Sequence, residues 1–194
     1  MREHKKYPEM WDYYNYICKE YGVAKGLYDE DCYAILSEAE KLPPNANYVE
    51  VGVSHGSSLI SVAHFRPDIN CYGIELATDI RHGHAAIEKE GIKNITLFLG
   101  KGSEQVCKEW DKEIDLLFID GEHYFPWIFW DFVGWEPYVK PGCKILFHDY
   151  ENPGAPKFKV REALQVFKNH AKYDFTSLSE DYGISSSVAI LTKK

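Results

Sequence analysis

Ile114-Asp-Leu-Leu-Phe-Ile-Asp-Gly-Glu-His123 is an apolar run that stops on a carboxylate, a turn glycine and an imidazole. Five of its first six residues suit a strand buried on both faces, so Asp120 marks a carboxyl edge, where open α/β sheets take up their ligands. A second run, Cys143-Lys-Ile-Leu-Phe-His-Asp-Tyr150, ends in the same manner with His148 and Asp149. Two strands then bring polar ends to one rim. Adjacent parallel strands lie about 4.8 Å apart, so Asp120 and the His148-Asp149 pair converge on one small ion if their strands are neighbours.

Outward from this stretch the same alternation repeats. Apolar runs at 48–53, 71–76, 95–99, 114–120 and 144–149 alternate with helical patterns at 57–64, 79–90, 103–110, 124–138 and 157–172. Short connections between such units predict a parallel sheet covered by helices on both faces. The runs 174–178 and 187–192 flank the turn-rich Ser179-Glu-Asp-Tyr-Gly183, which predicts a closing hairpin with an antiparallel strand.

At 194 residues the chain suits one compact domain, with a core over 47–194 and an extension over 1–46. In that extension Trp11, Tyr13, Tyr14 and Tyr16 crowd a short window, and 29–41 reads as a helix ended by Pro43-Pro44. A helix packing its aromatic face on the core is one reading; a lid that excludes water from the site is the other.

Net charge is −8 and no basic run is longer than a pair such as Lys5-Lys6, so the footprint of a phosphate-backbone binder is missing and nucleic acid is not an expected partner. No apolar run approaches the roughly 20 residues of a membrane helix, and residues 1–8 are too polar for a signal peptide. The expectation is a cytoplasmic protein. Its five cysteines are scattered, without a C-x-x-C pair, and read as reduced thiols.

Val49-Glu-Val-Gly-Val-Ser-His-Gly-Ser-Ser58 joins the first strand to the first helix. Gly52 and Gly56 allow a tight turn and close approach of a ligand, and the amides of the helix start favour an anionic group. Ser54 stands where the second glycine of G-x-G-x-x-G would be. The second strand ends in Gly73-Ile-Glu75, placing a carboxylate where it could hold both hydroxyls of a ribose, and the third ends in Leu99-Gly-Lys-Gly-Ser-Glu104. Three successive strand ends of this kind suit a nucleoside cofactor. In Tyr124-Phe-Pro-Trp-Ile-Phe-Trp-Asp-Phe-Val-Gly-Trp135, Trp127, Trp130 and Phe132 recur at spacings that anchor a helix to the sheet or to a second subunit of a homodimer; Asp131 faces either the rim or solvent.

These motifs resemble the class I S-adenosylmethionine-dependent methyltransferases. Glu50-x-Gly52-x-x-x-Gly56 is similar to their first motif, Glu75 to the ribose acid, and Gly100-Lys-Gly-Ser-Glu104 to the adenine-side turn of the catechol-type branch. The ordered series Ile119-Asp-Gly-Glu-His-Tyr124, Asp131, Trp135-Glu-Pro137, Pro141-Gly142, His148-Asp-Tyr150 and Pro153-Gly154 resembles the small-molecule and sugar O-methyltransferase branch that includes cephalosporin-hydroxylase-like proteins. The resemblance implies a Rossmann-like α/β fold, a mostly parallel seven-stranded sheet with a C-terminal antiparallel hairpin. It implies S-adenosylmethionine held by Glu50, Gly52, Ser54, Gly56, Ser58, Glu75, Gly102, Ser103, Glu104 and Asp120. It also implies a divalent cation, Mg2+ or Mn2+, on Asp120, His148 and Asp149, and His123 as general base beside Asp120. His148 departs from the pattern, since the metal-dependent relatives place an oxygen ligand there and imidazole suits softer ions than magnesium.

The expected activity is therefore O-methylation of a hydroxyl on a small molecule such as a sugar, natural product or catechol-like acceptor. The alternatives are a nicotinamide-dependent oxidoreductase, which shares the sheet and the ribose acid, and a non-catalytic S-adenosylmethionine-binding protein of the same fold.

Overall fold

The structure, a computed structural model, describes residues 8–151, 157–182 and 186–194; Lys5-Lys6, Pro153-Gly154 and Gly183 lie outside the described residues. Two helices, α1 (Pro8–Tyr21) and α2 (Asp29–Glu40), precede the sheet. Then follow β1 (Asn47–Val51), α3 (Ser57–Phe65), β2 (Asn70–Glu75), α4 (Arg81–Lys89), β3 (Ile95–Leu99), α5 (Ser103–Lys108), β4 (Ile114–Ile119), α6 (Trp127–Trp135) and β5 (Val139–Phe147). The chain closes with α7 (Val160–Leu164), β6 (Tyr173–Ser177), α8 (Leu178–Tyr182) and β7 (Ala189–Lys193).

The strand order is β3-β2-β1-β4-β5-β7-β6. Pairs from β3 through β5 are parallel, and β7 runs antiparallel to both β5 and β6. The mostly parallel sheet with a C-terminal hairpin is thus present as the alternation implied. Strand order reverses between β1 and β4, which opens a crevice at their carboxyl ends.

All six residues of β4 are buried, and side chains alternate between two cores as the period of a strand requires. Leu116 and Phe118 join Tyr48, Leu59 and Ile60 on one face; Leu117 and Ile119 join Val49, Phe132, Trp135 and Phe147 on the other. Asp115, the one charge in β4, is satisfied by the Asn47 amide at 2.8 Å and an ion pair with Lys140. Tyr14 and Ile17 of α1 and Cys32, Ile35 and Leu36 of α2 are buried in the first core. The aromatic window of the extension is therefore packing surface, with the Tyr13, Tyr16 and Tyr21 hydroxyls all donating to Glu90.

Several element bounds differ from the sequence reading, for local reasons. The helix expected over 124–138 begins at Trp127, because Pro126 and the residue before it resist the helical start, and it gives way to a 3-10 turn over Glu136–Tyr138. The strand expected from 144 reaches back to Val139, through a register shift opposite Ile114 and Leu116 that accommodates Pro141-Gly142. The helix expected over 157–172 shrinks to α7 and a 3-10 turn, and the turn-rich segment after Ser177 forms α8.

Candidate functional site

Three residues of the first loop, Gly52, Ser54 and Gly56, take positive φ values of 88°, 51° and 92°. Ser54 thus adopts the glycine-like conformation without being glycine, a backbone cost of about 1–3 kcal/mol. It is held there by Glu75, whose Oε2 accepts the Ser54 amide at 2.6 Å while Oε1 accepts the Ala77 amide at 2.9 Å. Gly52 is pinned from the other side, its N–H donating to Ile74 at 2.9 Å.

A cavity of about 820 Å³ opens beside this loop, at the crevice between β1, β2 and β4. Of the residues singled out in the sequence, Gly52, Ser54, Glu75, Gly102, Ser103, Glu104 and Asp120 line it. Glu50, Gly56 and Ser58 do not. Alternation along β1 turns Glu50 away from the cavity into the first core, where it accepts hydrogen bonds from the Tyr48 hydroxyl at 2.7 Å and from Ser58 Oγ at 2.5 Å. Burial pushes the Glu50 carboxyl up to about 8, against the opposing pull of those two bonds. Gly56 caps α3.

Trp127 and Trp130 do not anchor the helix to the sheet, the first of the two packings their spacing suits. Ile128, Phe132 and Trp135 of the aromatic helix are core; Trp127 and Trp130 are more than half exposed, pack edge to face, and wall the cavity. Asp131 lines it too, and its carboxyl is pushed up to about 6 by burial, with Glu104 and Glu122 adding to the effect and Ser103 opposing it. None of the described residues before 47 lines the cavity.

Asp120 stands at the junction between the cavity and a cluster of imidazoles and carboxylates. Its Oδ1 lies 2.8 Å from His148 Nδ1 and 3.1 Å from His123 Nε2. Asp149, in the left-handed region at φ 57°, turns its side chain back so that Oδ2 is 3.2 Å from His123 Nε2 and Oδ1 is 3.7 Å from His148 Nδ1. Phe158 stacks on the His123 ring, with centroids 4.6 Å apart and planes 16° from parallel. The four rim residues named in the sequence are thus brought together. Ligand atoms of Asp120, His123 and His148 all lie within 4.8 Å of one another, and two nitrogens with a carboxylate oxygen fit a borderline divalent ion better than a hard one.

One participant carried no sequence signal. Asp31, on the first turn of α2, is fully buried beneath the rim, with Oδ2 3.3 Å from His148 Nε2. Its carboxylate also accepts from Ser186 Oγ and the Ser187 amide, each at 2.7 Å, and from Ser187 Oγ at 3.1 Å. In sequence it is the third of three acids, Asp29-Glu30-Asp31, at a helix start where acids are ordinary. Burial works against the His148 charge, but Asp120, Asp31 and Asp149 outweigh it and hold the imidazole up to about 10. Asp120 and Asp31 are in turn held below the usual carboxylate range, since their histidine contacts outweigh the cost of burial.

The fold recurs among solved structures. A candidate caffeoyl-CoA O-methyltransferase from Staphylococcus aureus superposes with a TM-score of 0.74 at 14% identity, covering 98% of this chain and 95% of that one. TomG, an O-methyltransferase of Streptomyces achromogenes involved in tomaymycin synthesis and solved with S-adenosylmethionine, gives 0.72 at 15%, covering 96% and 90%. The Podospora anserina methyltransferase PaMTH1, solved with S-adenosylhomocysteine, gives 0.68 at 14%, covering 96% and 87%. At these identities the likeness is one of fold. No curated protein matches the sequence. Residues 49–150, which carry the glycine loop, Glu75, the Gly102–Glu104 turn and the whole rim from Asp120 to Asp149, match the family described as a methyltransferase domain, and the nicotinamide alternative falls with that match. With more than half of its length inside the match, the chain belongs to the methyltransferase-domain family, enzymes of methyl transfer.

Proposed function

We propose that the chain transfers the methyl group of S-adenosylmethionine to a hydroxyl of a small molecule, at a rim that holds a divalent cation, Mg2+ or Mn2+, on Asp120, His148 and Asp149. One observation carries this reading: a single cavity of about 820 Å³ joins the ribose-type acid Glu75 to the rim carboxylate Asp120. A nucleoside lying along it would have its hydroxyls at Glu75, its base between Gly102–Glu104 and the Trp127–Trp130 wall, and its other end at Asp120.

Glu75 spends one oxygen on each of two loop amides, and a carboxylate has about four lone-pair sites, so it can accept ribose hydroxyls as well. S-adenosylmethionine supplies a reactive sulfonium methyl that needs an oriented nucleophile, and a divalent ion supplies Lewis-acid polarisation of the acceptor hydroxyl. His123 is the base: its Nε2 faces the rim between Asp120 and Asp149, Phe158 fixes its plane, and an imidazole nitrogen can accept a hydroxyl proton. The same nitrogen belongs to the ligand group around Asp120, so His123 acts at the edge of any ion held there. The net charge of −8 supports a small acceptor over nucleic acid.

Calorimetry tests the reading. S-adenosylmethionine and S-adenosylhomocysteine are expected to bind and NADH is not; tight NADH binding without S-adenosylmethionine binding would overturn it.

A further inference from the structure

His148 is gripped at both ring nitrogens, and the deeper grip is the informative one. Nε2 points away from the rim to Asp31 Oδ2 at 3.3 Å. An ionised carboxylate has no proton to give, so Nε2 must carry the proton of that bond; Nδ1 donates to Asp120 in the same way, so the ring carries both protons and a cation at the rim would displace the one on Nδ1. Asp31 cannot turn to offer anything else. Its Oδ1 takes the Ser187 amide and Ser186 Oγ, and its Oδ2 takes Ser187 Oγ and the Tyr28 amide besides the histidine. The whole assembly is excluded from solvent, with Asp31 at 0% and Ser186, Ser187 and His148 each at 5% or less.

Resting on the proposed metal site, we infer that Asp31 is a positioning residue that keeps a proton on His148 Nε2, so that Nδ1, facing the rim, is the nitrogen that gives up its proton to a cation. The pattern is physical: a histidine that binds a cation through one nitrogen is oriented by a carboxylate on the other, which fixes both tautomer and ring plane. With Nδ1 of His148 facing Asp120, the site presents an imidazole nitrogen beside its carboxylates. Such a site takes Mn2+ or Co2+ in preference to Mg2+.

The substitution Asp31→Asn separates orientation from mere filling of space. The fixed Ser187 amide, at 2.7 Å the shorter of the two backbone donors, demands the amide oxygen of the new side chain. The NH2 group then faces His148 Nε2, which must accept, so the one remaining ring proton is the one on Nδ1 toward Asp120, and losing it to a cation would leave the ring without a proton. The same change sacrifices the bond from the Tyr28 amide, so a lower melting temperature is expected and recorded.

Three measurements decide the matter. Nitrogen-15 spectra of histidine-labelled protein are expected to show His148 Nε2 protonated in the wild type and unprotonated in Asp31→Asn. Titration with Co2+ and Mn2+ is expected to show affinity about 10–100-fold lower in the variant, with S-adenosylhomocysteine affinity unchanged as the check on folding. An unprotonated Nε2 in the wild type overturns the inference without any variant, and so does a folded variant that binds Co2+ as tightly as wild type. Should the wild type bind neither ion, the metal reading itself fails and with it the ligand role of Nδ1. The nitrogen-15 shift then decides separately whether Asp31 holds the proton.

Discussion

Replacing Gly52 by alanine adds one methyl group where the end of β1 passes the turn after β4. Gly52 has φ of 88°, and an L-residue in left-handed backbone costs about 1–2 kcal/mol. The new Cβ would also lie 2.6 Å from Gly121 Cα and closer still to the Asp120 carbonyl. Both neighbours are backbone and alanine has no rotamer to change, so the chain itself must move; forcing a methyl into filled space costs about 1–3 kcal/mol more. The two terms predict destabilisation of about 2–5 kcal/mol. Either the glycine loop or the Asp120 turn has to shift, and both are walls of the same cavity. Stability and cofactor affinity should therefore fall together. Equilibrium urea unfolding gives the first quantity and calorimetry with S-adenosylmethionine at a temperature where the variant is folded gives the second. A variant within about 0.5 kcal/mol of wild type, the range of an ordinary surface change, would refute the packing argument; one destabilised as expected but binding the donor normally would refute the link between this contact and the cavity.

Glu75→Ala removes a charged acceptor whose hydrogen bonds are worth about 1.5–3 kcal/mol each and releases Ser54 from its left-handed turn, so S-adenosylmethionine should bind at least about tenfold more weakly; unchanged affinity in calorimetry would end the ribose assignment. His123→Ala should lower turnover by about 10²–10⁴-fold while donor affinity stays constant, and wild-type turnover in steady-state kinetics on an identified acceptor would exclude it as the base. Asp131 has a carboxyl raised to about 6 by burial, so its ionisation opposes folding: the penalty is absent below its unfolded value near about 4, grows as pH rises, and is complete above 6. Asp131→Asn should accordingly gain melting temperature over wild type at pH 7.5 and lose that gain at pH 4, and a pH-independent difference would contradict this.

The sheet and the rim were legible because their signals are local. An apolar run ending in Asp120, and another ending in His148-Asp149, announce strand ends regardless of what surrounds them, and neighbouring strands in the observed order bring them together. The side chain of Glu50 is not legible in its motif, which does not say which face of β1 it takes; alternation sends it to the core with Tyr48 and Ser58. The exposure of Trp127 and Trp130 is not legible either, because aromatic spacing on a helix does not reveal which flank stays uncovered. Asp31 was invisible for a different reason. Its neighbours along the chain are ordinary helix-start acids, and its meaning comes from His148, 117 positions away.

The bond from the Ser187 amide to Asp31 spans 156 positions, which gives the corner around His148 a place in time as well as in space. A chain emerging from the ribosome has made β1 to β4, the glycine loop and the cavity walls long before Ser186 and Ser187 appear. At about 5–20 residues per second, the stretch from Phe147 to Ser187 takes some seconds more. Through that interval Asp31 lacks its serine partners, and the support beneath His148 is unfinished. The cavity can thus take shape first, and the corner around His148 is set only when Ser186 and Ser187 have been joined.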